Sequence, residues 1–138
     1  MSVQEEDLME KEIAKFLAAS SFAVAGASTS QHKYGNQIFR ALVASGRNVY
    51  PLNPFAEQIE GQAAYASIAG LPEAPESVCV VTPPPVTRQV VADAIRFGVK
   101  HLWIQPGAND TESSESARRA GLTVIDDGSC VLVLLARE

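Results

Sequence analysis

The sequence predicts an α/β protein, a doubly wound sheet of about five parallel strands with helices on both faces. Three observations carry this. Short apolar runs alternate with amphipathic helical stretches along the chain, and each run ends in a cluster of Gly, Pro, Ser or amide residues. Each stretch between runs is also long enough for a right-handed βαβ crossover.

Taken in order, Glu5 to Ala19 read as an amphipathic helix, with Leu8, Met9, Ile13, Phe16 and Leu17 near helical spacing, and Ser20-Ser21 end it. Phe22 to Ala25 form the first strand, apolar on both faces as a central parallel strand should be. Gly35 to Ser45 form the second helix, with Gly46 at its C-terminal end. Asn48 to Leu52 are the second strand, closed by Asn53-Pro54. Glu57 to Gly61 are too polar and short for a core element and read as a loop with a brief edge pairing, and Ser67 to Pro72 as one helical turn. Ser77 to Val81 are the third strand; Thr82-Pro83-Pro84-Pro85 ends it, with Pro85 in the first turn of a helix running to about Phe97. His101 to Ile104, a helix from Asp110 to Ala120, and Leu122 to Ile125 follow. Val131 to Leu135 fit either a short helix or a sixth strand.

With 138 residues, 46% apolar and 20% charged, the chain reads as one globular domain over residues 1–138, residues 1–19 packing on it as a helix. No apolar stretch approaches the roughly 20 residues that span a bilayer, and the acidic start, Met1 to Asp7, is unlike a signal or transit peptide. A cytoplasmic location is the resulting expectation. Two cysteines, Cys79 and Cys130, are too few for a disulfide framework and lack metal-ligand spacing. The net charge of −5 argues against nucleic acid as partner, since neutralising phosphates needs a basic surface.

Charge distribution is more informative than its sum. Between Ile13 and Ala56 there is no Asp or Glu, while Lys15, Lys33, Arg40 and Arg47 are present. That stretch is either a solvated face that happens to lack acids or a local field favouring a small polyanion. It contains Phe22-Ala23-Val24-Ala25-Gly26-Ala27-Ser28 and the loop to Gly35, the pattern of a first strand feeding a phosphate-cradling turn. Glycine lets backbone approach an anion, and free N–H groups at a helix N-terminus point at it. The G-x-G spacing and third glycine are missing, so a plain strand-to-helix turn is the alternative.

Ligands of such sheets bind at the carboxyl ends of the strands. Four of the five exit loops carry no carboxylate, so no acid/base pair stands out there. His32 could serve as a base or simply sit in solvent, His101 lies at the wrong end of a strand, and Asp126 and Asp127 fit a turn as well as a pair. A nicotinamide site wants an acid at the end of the second strand for the ribose hydroxyls. Asn53-Pro54 stands there instead, compatible with a ligand that carries extra phosphate at that end.

Val24-Ala25-Gly26-Ala27-Ser28, Lys33-Tyr34-Gly35, Val49-Tyr50-Pro51-Leu52-Asn53-Pro54, Gly61, Leu71-Pro72, Trp103-Ile104-Gln105-Pro106-Gly107 and Gly121-Leu122 occur in this order from Ser21 to Cys130. In them the chain resembles the small stand-alone CoA-binding proteins, whose domain is similar to the CoA-binding domain of the succinyl-CoA synthetase alpha subunit. The resemblance implies a Rossmann-like fold with coenzyme A or acyl-CoA lying across the strand ends. It implies that Gly26, Ala27, Ser28, Lys33, Tyr34 and Gly35 hold the phosphates and that Asn53 and Pro54 flank the adenosine. Thr82, Pro83 and Pro84 would border the pantetheine, with Gln105 and Gly107 near its thiol. The basic residue that many members carry before the cysteine near the chain end is absent from Asp127-Gly128-Ser129-Cys130, which keeps a thiol in the matching position.

Cys130 is therefore a candidate redox thiol. If the last element is a helix, Cys130 falls in its first turn, where the dipole favours thiolate, and oxidation could join it to the ligand's thiol as a mixed disulfide. A small buried hydrophobe before Val131 is the other reading. No metal site or catalytic constellation is visible. The sequence reads as a non-catalytic or regulatory CoA-binding module, with a protein partner or homodimer possible. The alternative is a component of an NAD(P)- or acyl-CoA-dependent enzyme whose catalytic groups come from a partner or dimer interface.

Overall fold

The computed structural model describes residues 3–138, with side chains from Asp7 onward; Met1 and Ser2, included above in the N-terminal segment, lie outside the described residues. The elements are α1 (Val3–Leu17), β1 (Phe22–Ala25), α2 (Tyr34–Ala44), β2 (Val49–Leu52), β3 (Gln58–Ile59), β4 (Gln62–Ala63) and a 3₁₀ turn (Ile68–Gly70). Then come β5 (Ser77–Val80), α3 (Pro84–Arg96), β6 (His101–Ile104), α4 (Thr111–Arg119), β7 (Thr123–Ile125) and α5 (Val131–Ala136). Five parallel strands form one sheet in the order β2-β1-β5-β6-β7, the Rossmann-like doubly wound arrangement expected from the sequence. Phe22 pairs with Val49 on one side and Ser77 on the other. The strand order therefore reverses at β1, and a crevice opens between the exits of β1 and β5.

Two apolar layers sandwich the sheet because alternate side chains of each strand point to opposite faces. Ala23, Ala25, Val78, Val80, Leu102 and Ile104 face α3, α4 and the 3₁₀ turn, whose Val91, Ala94, Ala117 and Ile68 cover them. Phe22, Val24, Cys79 and Trp103 face α1, α2 and α5 through Phe16, Ile38, Phe39, Leu42 and Val131. Phe16 meets Trp103 and Phe22 edge to face, with ring centroids 5.3 and 5.7 Å away. Its carbonyl accepts the Ser77 hydroxyl at 2.9 Å, tying α1 to the entrance of the central strands.

Most boundaries fall within a residue or two of expectation, and two elements needed three dimensions. The Glu57–Gly61 segment pairs with its own continuation, β3 with β4, rather than with the main sheet. Glu60 and Gly61 both have positive φ (49° and 79°), the conformation of a tight hairpin turn, and Ile59 is buried in the α2-side core. The open choice at Val131 resolves to the six-residue helix α5, with Cys130 at its N-cap position rather than in its first turn.

Candidate functional site

The β1-to-α2 turn is built by two glycines with different duties. Gly26 has φ +92°, and a Cβ there would lie 2.4 Å from the Val81 carbonyl oxygen, so it allows the exits of β1 and β5 to close on each other. Gly35 has no unusual φ, but a Cβ there would come 2.0 Å from the Gly26 carbonyl oxygen. It lets the first turn of α2 rest directly on the end of β1, the close helix–strand packing that a third fingerprint glycine usually provides. Gly35 is thus required by packing whatever else it does at the turn.

A polar network holds the intervening loop. Asn36, fully buried on the apolar side of α2, donates from Nδ2 to the Ser28 carbonyl (2.8 Å) and to Glu60 Oε2 (3.3 Å), and its Oδ1 accepts from Arg40 Nε (2.7 Å). Arg40 also donates to the Gln31 carbonyl, and Gln31 to Glu60 Oε1 at 3.1 Å. The hairpin β3–β4 thus delivers an acid onto a loop whose own sequence has none. Ser28 Oγ accepts from Ser30 N at 3.0 Å, which leaves its O–H free to donate. The N-terminus of α2 has Lys33 at the N-cap position with no side-chain cap bond, so its first amides remain available to an anion.

The neighbouring exits complete a cleft of about 720 Å³, within the range that holds a small-molecule ligand. Asn53 donates from Nδ2 to the Ala27 carbonyl (3.0 Å) and accepts the Phe55 amide on Oδ1 (2.8 Å), so one side chain braces the exits of β1 and β2 together. Its own amide is held by the Tyr65 carbonyl at 2.8 Å. Thr82 is buried, its hydroxyl 2.8 Å from that of Thr87. Gly26, Ala27 and Ser28, then Lys33, Tyr34 and Gly35, line the cleft; Asn53 and Pro54 contribute from β2, Thr82 and Pro83 from β5.

The remaining candidates stand apart from that lining. Pro84 opens α3 beside it. Gln105 is buried and both ends of its amide are engaged: Oε1 accepts Val131 N at 2.8 Å and Nε2 donates to Cys130 Sγ at 3.3 Å. Gly107, with φ +94°, shapes the turn after β6. Cys130 is half-buried behind Gln105. Cys79 is buried, and burial, reinforced by the neighbouring Cys130, pushes its thiol well above the usual range.

The sequence did not point to the apolar and α3 side of the cleft. Leu52 and Ile68 form one wall; Val86, Gln89, Val90 and Asp93 line it from α3. Spacings of three and four along a second stripe of α3, beside the core stripe of Thr87, Val91 and Ala94, are the signal that could have found them. Phe55, 96% exposed, and Tyr34, 64% exposed, are aromatic rings left in water at the rim. The four cations of the acid-free stretch do not converge. Only Lys33 lines the cleft; Arg40 is spent on the loop, and Arg47 pairs with Glu138 at 2.8 Å and bonds the Leu17 carbonyl. Lys15 acts on His101, at the opposite end of the sheet from the strand exits. The positive character of the site comes from Lys33 and the α2 N-terminus.

Comparison with known proteins fits this geometry. The acetate–CoA ligase [ADP-forming] II subunit alpha of Pyrococcus furiosus is 30% identical over 105 residues, 75% of this chain. The chain spans only 23% of that relative's length. A hypothetical protein from Pyrococcus horikoshii OT3 superposes with a TM-score of 0.87 at 29% identity, covering 94% of this chain and 90% of that one. A conserved hypothetical protein from Pyrococcus furiosus is 38% identical with a TM-score of 0.77, covering 83% and 97%. Residues 20–136, from just after α1 through α5, match the family described as CoA binding domain, and the chain belongs to that family.

Proposed function

We propose that the protein binds coenzyme A or an acyl-CoA across the exits of β2, β1 and β5, as a non-catalytic or regulatory module. The observation that carries this reading is the meeting, in one cleft, of a glycine-built turn, the uncapped α2 N-terminus and Lys33 with an apolar slot. The residues fit the ligand in kind. The turn from Gly26 to Ser28 and the start of α2 from Lys33 to Gly35 would receive the phosphates. Asn53, Pro54 and Phe55 would flank the adenosine, and the pantetheine would pass Thr82, Pro83 and Pro84 toward Gln105 and Gly107. Bound CoA would supply a thiol for carrying acyl groups; the chain's own part is to hold and orient it.

A second reading draws on the ligase subunit relative, of which this chain matches less than a quarter. In it the chain is the CoA-holding component of an acyl-CoA-dependent enzyme, with catalytic groups supplied by a protein partner or a dimer interface. Under both readings the ligand is the same.

Thermal shift with CoA, dephospho-CoA, NAD and NADP tests the ligand, because a molecule that binds only the native state raises the Tm. CoA should give the largest shift and dephospho-CoA a smaller one; an equal or larger shift with NAD would overturn the assignment. Lys33→Ala should weaken CoA binding by about 1–3 kcal/mol while leaving the ligand-free Tm unchanged, as expected for an exposed residue making a charge-assisted phosphate contact.

A further inference from the structure

We propose that Asp93, oriented with Gln89 on the cleft-facing stripe of α3, accepts a hydrogen bond from the 6-amino group of the ligand's adenine and so selects a 6-aminopurine. This rests on the CoA reading above and deepens it. Asp93 is a half-buried carboxylate lining a cleft whose other end carries Lys33 and the α2 N-terminus. Among the described residues none of the ion pairs involves it. Its side chain accepts one hydrogen bond there, from Gln89 Nε2 to Oδ1 at 3.0 Å, and a carboxylate has about four acceptor positions.

A carboxylate at that place repels phosphate, so a polyanionic ligand can leave only a neutral donor group beside it. The part of the ligand that reaches it follows from the topology. In a doubly wound sheet the nucleoside lies over the end of the second strand while the phosphates sit on the first turn. Here the β2 exit, from Leu52 through Phe55, lines the same slot as Ile68, Val86 and Val90. Those apolar side chains suit the faces of a base, and on the α3 wall the Gln89–Asp93 pair offers polar groups to its edge. Adenine presents an amino donor next to a ring-nitrogen acceptor. A glutamine amide matches such an edge with two bonds. With one Nε2 proton held by Asp93, Gln89 can offer the other to the ring nitrogen while Asp93 takes the amino group. On that N6/N7 edge a 6-oxo purine presents two acceptors and would place an oxygen against the carboxylate instead.

The test is calorimetric titration of the full chain with adenosine 3′,5′-bisphosphate and inosine 3′,5′-bisphosphate, for wild type, Asp93→Asn and Asp93→Ala. Wild type should bind the adenosine compound about ten- to a hundredfold more tightly, the size of a hydrogen bond to a charged group. Asp93→Asn, whose amide can face either edge, should bring the two within about twofold, and Asp93→Ala should lose most of the preference. The ligand-free Tm of both variants should match wild type, because Asp93 lies on the cleft-facing stripe of α3. Equal affinities in wild type, or a preference that survives in both variants, would overturn the proposal. So would Asp93→Asn weakening 4′-phosphopantetheine while leaving both bisphosphates unchanged, since the slot would then hold the other arm. Failure of CoA itself to bind wild type would remove the CoA reading, whereas CoA binding with no base preference would remove only this inference.

Discussion

Gly35→Ala separates packing from ligand access in the β1–α2 turn. The added Cβ would sit 2.0 Å from the Gly26 carbonyl oxygen and 2.9 Å from its carbon, both backbone atoms that no rotamer change can move. Contacts of this kind need at least 3.0 Å, so the first turn of α2 must retreat by about 1 Å. Helix propensity favours alanine by up to about 1 kcal/mol, whereas forcing volume into a packed contact costs about 1–3 kcal/mol and sometimes more. With backbone on both sides, the upper end applies and the net loss is about 2 kcal/mol, a fall in Tm of roughly 5–10 °C for a chain of this size. Gly70→Ala is the control: its φ is not in the left-handed region and a Cβ there meets nothing within 4 Å, so its Tm should stay near wild type. Differential scanning calorimetry without ligand reads both. A Gly35→Ala variant as stable as wild type would show that α2 is not seated on the end of β1, and would refute the packing account. CoA affinity should fall together with stability, since the carbonyl that moves belongs to the turn itself.

Two further outcomes follow from the buried titratable groups. Iodoacetamide at pH 8 should add one adduct to the native protein, on half-buried Cys130, and reach Cys79 only after denaturation, because burial both shields Cys79 and raises its thiol. Intact mass of wild type and Cys130→Ser checks this, and a native adduct on Cys79 would contradict it. His101 is held below its usual pKa chiefly by burial, with Glu76 opposing and Lys100 and Lys15 adding to the shift, and its Nδ1 is buried without a hydrogen-bond partner. The unfolded chain therefore takes up a proton first as pH falls below about 6.5, and stability declines from there down to the folded-state value. Tm measured from pH 8 to pH 5 should fall in that window and flatten in His101→Phe; an unchanged slope would assign the titration elsewhere.

Much of the fold could be read from local pattern. Consecutive apolar residues such as Val78-Cys79-Val80 mark a strand covered on both faces, and Gly, Pro and Asn clusters punctuate each exit; both are short-range features that one stretch of chain carries by itself. Gly26 to Ser28, Lys33 to Gly35 and the Asn53-Pro54 exit were legible for the same reason, and they do line the cleft. What depended on contacts between distant residues was not legible. Nothing near Asn36 announces that Glu60, 24 residues on, folds back to it, because that contact needs the hairpin turn at Glu60-Gly61. A tally of cations suggested a field that the fold disperses, since helix length carries Lys15 and Arg47 away from the strand exits and only Lys33 stays at the cleft. Gln105, which the resemblance puts near the ligand's thiol end, also holds α5 through Val131 N and Cys130 Sγ, contacts that no local pattern announces. Composition and spacing determined the sheet, its turns and the β1 and β2 exits that line the cleft. The α3 wall with Val86, Gln89, Val90 and Asp93 was decided only in three dimensions, because a helix surrounded by other elements has two faces with a use and periodicity alone does not say what stands opposite the second.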